Sequence, residues 1–98
     1  MPKLQPHMKS QIEVVGIAWY RPEDYSLLLA LFEDRENLPQ TFAAWLAKAE
    51  TIEQEVRSTG VRVVRVTITP HEFTRWCASR ELRFNAEARS RFASERAT

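Results

Sequence analysis

Residues 60–77 read GVRVVRVTITPHEFTRWC. Val61 to Thr69 is a run of β-branched residues, the composition of a strand. Val64, Val66 and Ile68 fall on one face, and Val61, Val63, Arg65 and Thr67 on the other. One face is wholly apolar; the mixed face fits a sheet edge or partial contact with solvent. Gly60 in front of the run can take positive φ and stop a preceding helix. The next residues reset the chain. Thr69 suits an N-cap, Pro70 the first helical position, and Glu72 the third position of a capping box. Ile68 and Phe73 are spaced as a hydrophobic staple around that cap. The pattern predicts a helix from Pro70 to about Glu81, with Phe73, Trp76, Cys77 and Arg80 along one stripe.

The same strand-then-proline unit occurs upstream. IEVVGIAWY, residues 12–20, is an almost continuous apolar run, as in a strand covered on both faces. Gly16 in its middle marks close approach of a helix or second backbone. Pro22, Glu23 and Asp24 predict a helix start, followed by Tyr25, Leu28, Leu29 and Phe32 on one stripe. Pro39 opens a longer helix, with Phe42, Trp45, Ala49, Ile52 and Val56 stepping by three and four and Leu46 beside them. Lys48, Glu50, Glu53 and Glu55 read as its polar side. Asn85 is placed to cap a last helix to about Arg96. Its stripe of Ala88, Phe92 and Ala93 is thin, so weak packing is expected there.

The order is β-α-α-β-α-α, a two-layer α/β fold. A helical crossover between strands of one sheet makes them parallel and the connection right-handed. Two strands alone form a marginal sheet. Pairing with a second copy across a twofold axis is the simplest extension, so a homodimer is expected. Residues 1–9 read as a disordered lead and residues 10–98 as one domain; Met8 is a plausible alternative start.

The chain has 98 residues and a formal net charge of +1. That balance gives no global pull toward nucleic acid or anionic lipid. The longest apolar run, Leu27 to Phe32, is far shorter than a membrane span. The basic residues of MPKLQPHMKS precede no apolar core, so no signal peptide and no membrane partner are expected. A single cysteine forms no internal disulfide and points to a reducing cytoplasm. Charge is unevenly spread. Residues 1–56 carry five Lys/Arg and nine Asp/Glu, and residues 57–98 carry nine Arg and four Glu. The halves could neutralise each other, within one fold or across a dimer. Alternatively, the arginines form a basic face for nucleic acid or an acidic partner.

Chemistry is sparse. His71 and Cys77 are six residues apart, which places them on different sides of a helix. HEFTRWC lacks the H-E-x-x-H spacing of a zinc pair, and two histidines with one cysteine leave few ligands. The chain has only two glycines, Gly16 and Gly60, so a phosphate-binding loop is absent. Neither catalytic residues, nor a metal site, nor a cofactor is expected, and Cys77 reads as a small core residue. One geometric candidate remains. Ligands of open α/β sheets bind beyond the carboxyl ends of the strands. Trp19, Tyr20, Arg21, Thr69 and His71 gather there, where helix N-termini and Arg21 favour a small anion.

WYRPEDY, LPQTFAAWLAKAE and GVRVVRVTITPHEFTRWC together resemble a group of small bacterial α/β proteins with no established activity. The resemblance spans about residues 10–95. It implies a compact α/β domain and carries over no catalytic residue. Members tend to have glycine where Arg80-Glu81 ends the third helix here. The leading functional expectation is a non-catalytic, homodimeric interaction or regulatory module, with another protein as a further partner. The alternative is a nucleic-acid-associated protein using Arg83, Arg89, Arg91 and Arg96. Ligand or anion binding at the strand edge is third.

Overall fold

The structure is a computed structural model, and it describes residues 13–97. The expected lead, residues 1–9, and the alternative start at Met8 lie outside the described residues. The elements run β1 (Val14–Trp19), α1 (Tyr25–Leu31), a 3₁₀ turn (Arg35–Asn37), α2 (Phe42–Arg57), β2 (Arg62–Thr67), α3 (Pro70–Arg80) and α4 (Ala86–Arg96). The fold is α/β in the expected order. The strands form a two-stranded parallel sheet, with Gly16 opposite Val64 and Trp19 opposite Thr67. No helix among the described residues is long and apolar enough to cross a membrane.

Strand alternation assigns the faces. Trp19 meets Trp45 of α2 edge-on at 5.1 Å, and Arg65 reaches Glu53 of the same helix. α2 therefore covers the face of Ile17, Trp19 and Arg65. Gly16 lies against α4 on the opposite face: a Cβ there would sit 2.3 Å from the Ala93 carbonyl oxygen and 2.8 Å from the Ala97 Cβ. Close helix approach is what this glycine permits. α4 packs chiefly over β1, and Ala88, Phe92 and Ala93 are buried. The expectation of weak packing is thus corrected. Its stripe is thin because small residues let the backbones approach closely.

Helix starts follow local chemistry. Pro22 does not begin α1. Asp24 donates its N–H to the Arg21 carbonyl at 3.0 Å, and Arg21 Nε donates to the Asp24 carboxylate. Pro22 thus occupies the second position of a β-turn, which its fixed φ also suits. Nor does Pro39 begin α2. Thr41 is the cap, its Oγ1 accepting from the Ala44 N–H at 3.2 Å. The Pro39 carbonyl instead accepts from the Tyr25 hydroxyl. Pro70 does begin α3, after an extended Thr69. The capping box is absent, because the Thr69 side chain makes no cap bond and Glu72 pairs with Arg96. Asn85 caps α4 as expected, accepting from the Ala88 N–H at 3.0 Å.

Helix ends differ in kind. Gly60 has φ of 95°, the positive value its position after α2 requires. Glu81 follows α3 at φ 55° and ψ 43°. The Leu82 N–H reaches the Cys77 carbonyl and the Glu81 N–H that of Ala78, a Schellman closure. Glutamate here holds the left-handed position that glycine most easily fills.

Candidate functional site

The carboxyl ends of β1 and β2 feed two different environments. Tyr20 is buried among Tyr25, Phe32 and Trp45, with ring centroids 4.7–5.8 Å away. Burial pushes its hydroxyl up to about 12, although the nearby Arg89 charge opposes the shift. Trp19 is buried between Trp45 and the Arg65 guanidinium, which lies 3.9 Å from its ring centroid. Both are core residues and present little surface to a ligand. Arg21 is exposed but turned to Asp24 and Glu23. The hydrogen bond from Arg21 to Asp24 raises its already high pKa. The anion expected at this edge therefore meets an arginine already satisfied by carboxylates.

Thr69 and His71 are brought together elsewhere. They line an open groove of about 510 Å³ along α3, with Glu72, Arg75, Trp76, Ser79 and Arg96. Arg96 spans the groove to Glu72 and lies over the Phe92 ring at 4.3 Å. The expected five-residue cluster is thus divided: Thr69 and His71 share one groove, and Trp19, Tyr20 and Arg21 do not reach it.

The arginine series is also dispersed. Arg89 is 7% exposed and grips Asp34 with two bonds of 2.9 and 2.8 Å. Those bonds hold the Asp34 carboxyl below its usual range. The guanidinium also lies 4.3 Å from the Phe32 ring centroid. This arginine is a core strut and is not available to phosphate, which corrects its place among the nucleic-acid contacts. Arg83 pairs with Glu33 and Arg96 with Glu72, leaving Arg91 as the exposed member of that series outside these pairs.

A second ion pair, with a buried carboxylate and an exposed arginine, escaped the sequence reading. Glu53, assigned to the polar side of α2, is 4% exposed. Arg65 donates Nε at 2.7 Å and a terminal nitrogen at 2.8 Å to its two oxygens, and this pulls the Glu53 carboxyl below its usual range. The available signal was position: Glu53 lies four residues after Ala49, and Arg89 three before Phe92, so both interrupt an apolar stripe. Cys77 is fully buried, and burial pushes its thiol up. No group of three or more His, Cys, Asp or Glu among the described residues could hold a metal ion.

A second, less polar concavity lies at β1. Ile17, Ala18, Leu38, Pro39, Trp45, Lys48, Ala49 and Ile52 line a groove of about 210 Å³. Ile52 is 43% exposed there. Ile17 and Ala18 point to opposite faces, so the groove reaches the rim of the strand. Its lining contains one charge, Lys48. The molecule is thus a small α/β domain with a two-stranded parallel sheet, an apolar groove beside β1 and a polar groove along α3. No protein-family model, no curated protein and no solved structure matches the chain.

Proposed function

We propose that the chain is a non-catalytic interaction module that works as a homodimer in a reducing compartment such as the cytoplasm. The observation that carries this reading is the sheet. Each strand has only one neighbour among the described residues, so each keeps an edge of unpaired N–H and C=O groups. A two-stranded sheet is marginal alone, and pairing with a second copy extends it to four strands. β2 is the edge suited to that pairing. α4 is seated more closely on β1 than α2 is on β2, so twofold pairing at β1 would bring its covering helices into the tighter collision. At β2 the exposed Arg65 is already neutralised by Glu53, and Arg62 at the strand start is the exposed cation outside the ion pairs. Cys77, as a lone buried thiol, fits the compartment. Light scattering at tens of micromolar tests the dimer: twice the 11.4 kDa chain mass is expected, and a monomer mass overturns it.

A further inference from the structure

The outer edge of β1 has an environment of its own. The Arg62 N–H donates to the Glu13 carbonyl and the Ile68 N–H to that of Trp19. In a parallel pair these bonds turn the groups of residues 13, 15, 17 and 19 toward β2. The N–H and C=O groups of Val14, Gly16 and Ala18 therefore face outward. No other backbone bond among the described residues reaches them. α4 lies over this strand on one face. On the other face, the apolar groove opens beside Ile17, with Ile52 at its exposed wall. Lys48 is the groove's only charge and is in no ion pair among the described residues.

We infer that this edge is a slot for one extended segment of a partner protein, apolar at alternate positions and carrying a carboxylate that meets Lys48. Main-chain bonds to Val14, Gly16 and Ala18 would supply affinity, and alternate side chains would enter the groove. A bare strand, unlike a second copy, brings no helix to collide with α4. Charge complementarity at Lys48 sets the polarity of the partner. The inference rests on the reading of the chain as an interaction module, and it uses the edge that the dimer leaves open.

The test is amide chemical-shift mapping of the full chain with an acetylated octapeptide of alternating valine and threonine bearing one glutamate. Shifts at Val14, Gly16 and Ala18, and at the Trp45 indole, are expected with the peptide at about 1 mM, a weak-binding regime. Lys48→Glu, at an exposed site, should weaken binding roughly tenfold while preserving the spectrum, as loss and reversal of one charge contact implies. A lysine in place of the peptide glutamate should weaken binding similarly. Three results overturn the slot: absence of shifts at β1, equal binding of the glutamate and lysine peptides, or shifts at β1 on simple dilution of the protein. The last would make this edge the contact between copies. Loss of the β1 edge signals' native positions on removing residues 1–12 would also overturn it, by showing a segment of the same chain in the slot. A monomer mass with peptide shifts at β1 would remove the dimer and keep the slot; a dimer mass without them would do the reverse.

Discussion

Gly16→Ala tests the seating of α4 directly. The added methyl would lie 2.3 Å from the Ala93 carbonyl oxygen, about 1 Å inside ordinary contact. That oxygen is backbone, so no rotamer change relieves the overlap. Either β1 or α4 must move by about an ångström. A gap of that size forfeits a quarter to a half of the dispersion well for each contact it opens. Phe92 and Ala93, both fully buried on α4, would lose such contacts. The cost is therefore placed at about 2–3 kcal/mol, in the upper part of the overpacking range. At about 4–8 °C per kcal/mol for a chain of this size, Tm falls by roughly 8–24 °C. Urea unfolding and a thermal scan, both at one protein concentration, measure it. Ala97→Gly in the same background should recover little, because it removes only the 2.8 Å contact. A Gly16→Ala variant within about 0.5 kcal/mol of the parent, the range of ordinary surface changes, would refute the close approach of α4 to β1.

Asp34→Ala strands the Arg89 charge in the core. Its cost should be about 2–4 kcal/mol in urea unfolding, reduced from the fully buried case because Asp34 is partly open to solvent; the Asp34→Ala/Arg89→Met double variant should recover most of it, and equal stability of the two variants would count against the strut. Acid should weaken the fold through the same contacts. Arg89 holds the Asp34 carboxyl below its ordinary 3.8, and Arg65 holds Glu53 below 4.5, so their stabilisation is complete above those values and is lost as pH falls through the lower folded values. A urea midpoint unchanged between about pH 6 and pH 3 would contradict this linkage. Glu81→Gly should stabilise by about 0.5–1 kcal/mol, because glycine holds the left-handed position without Cβ strain; a loss of stability would mean that the Schellman closure is not formed. Cys77 should react with a disulfide reagent only as fast as the protein opens, and immediate labelling of the folded chain would place the thiol outside the core.

The strand faces and the element order were legible because period-two and 3.6-residue patterns are local, and the parallel pairing followed from the helical crossover between the strands. Gly16 was legible for a similar reason: a glycine inside an apolar strand has little use except close approach. Pro22 and Pro39 misled because one fixed φ serves both a helix start and a turn. The difference lay in the Arg21–Asp24 turn and in Thr41, whose hydroxyl makes a cap that proline alone does not provide. Thr69 and Glu72 had capping-box spacing, yet Arg96, 24 residues away from Glu72, took the carboxylate. Long-range pairs of that kind have no local signature. Asp34 and Arg89 are separated by 55 residues, and only the fold brings them together. The five-residue candidate site divided for a related reason. The strand ends predict a common edge, but the aromatic side chains of Trp19 and Tyr20 gain more from burial than from facing solvent.

The uneven charge of the two halves has a consequence for partners. Four ion pairs cross between them: Arg65 and Arg57 with Glu53, Arg83 with Glu33 and Arg89 with Asp34. Arg80 meets Glu95 and Arg96 meets Glu72 within the second half. Of the nine arginines after residue 56, Arg62, Arg75 and Arg91 stand outside these pairs. They lie on β2, α3 and α4, three separate elements, and do not form a row along one helix. A backbone of phosphates following all three would release counterions with a salt slope near −3 at most. That is a weak, steeply diluted attraction at physiological salt. Exposed ion pairs such as Arg83–Glu33 each contribute little to stability, but together they consume the charge that could recruit a polyanion. Among the described residues, main-chain hydrogen bonding is left open at two strand edges and apolar surface beside Ile17 and at Ile52, the two features on which the proposed partner strand rests.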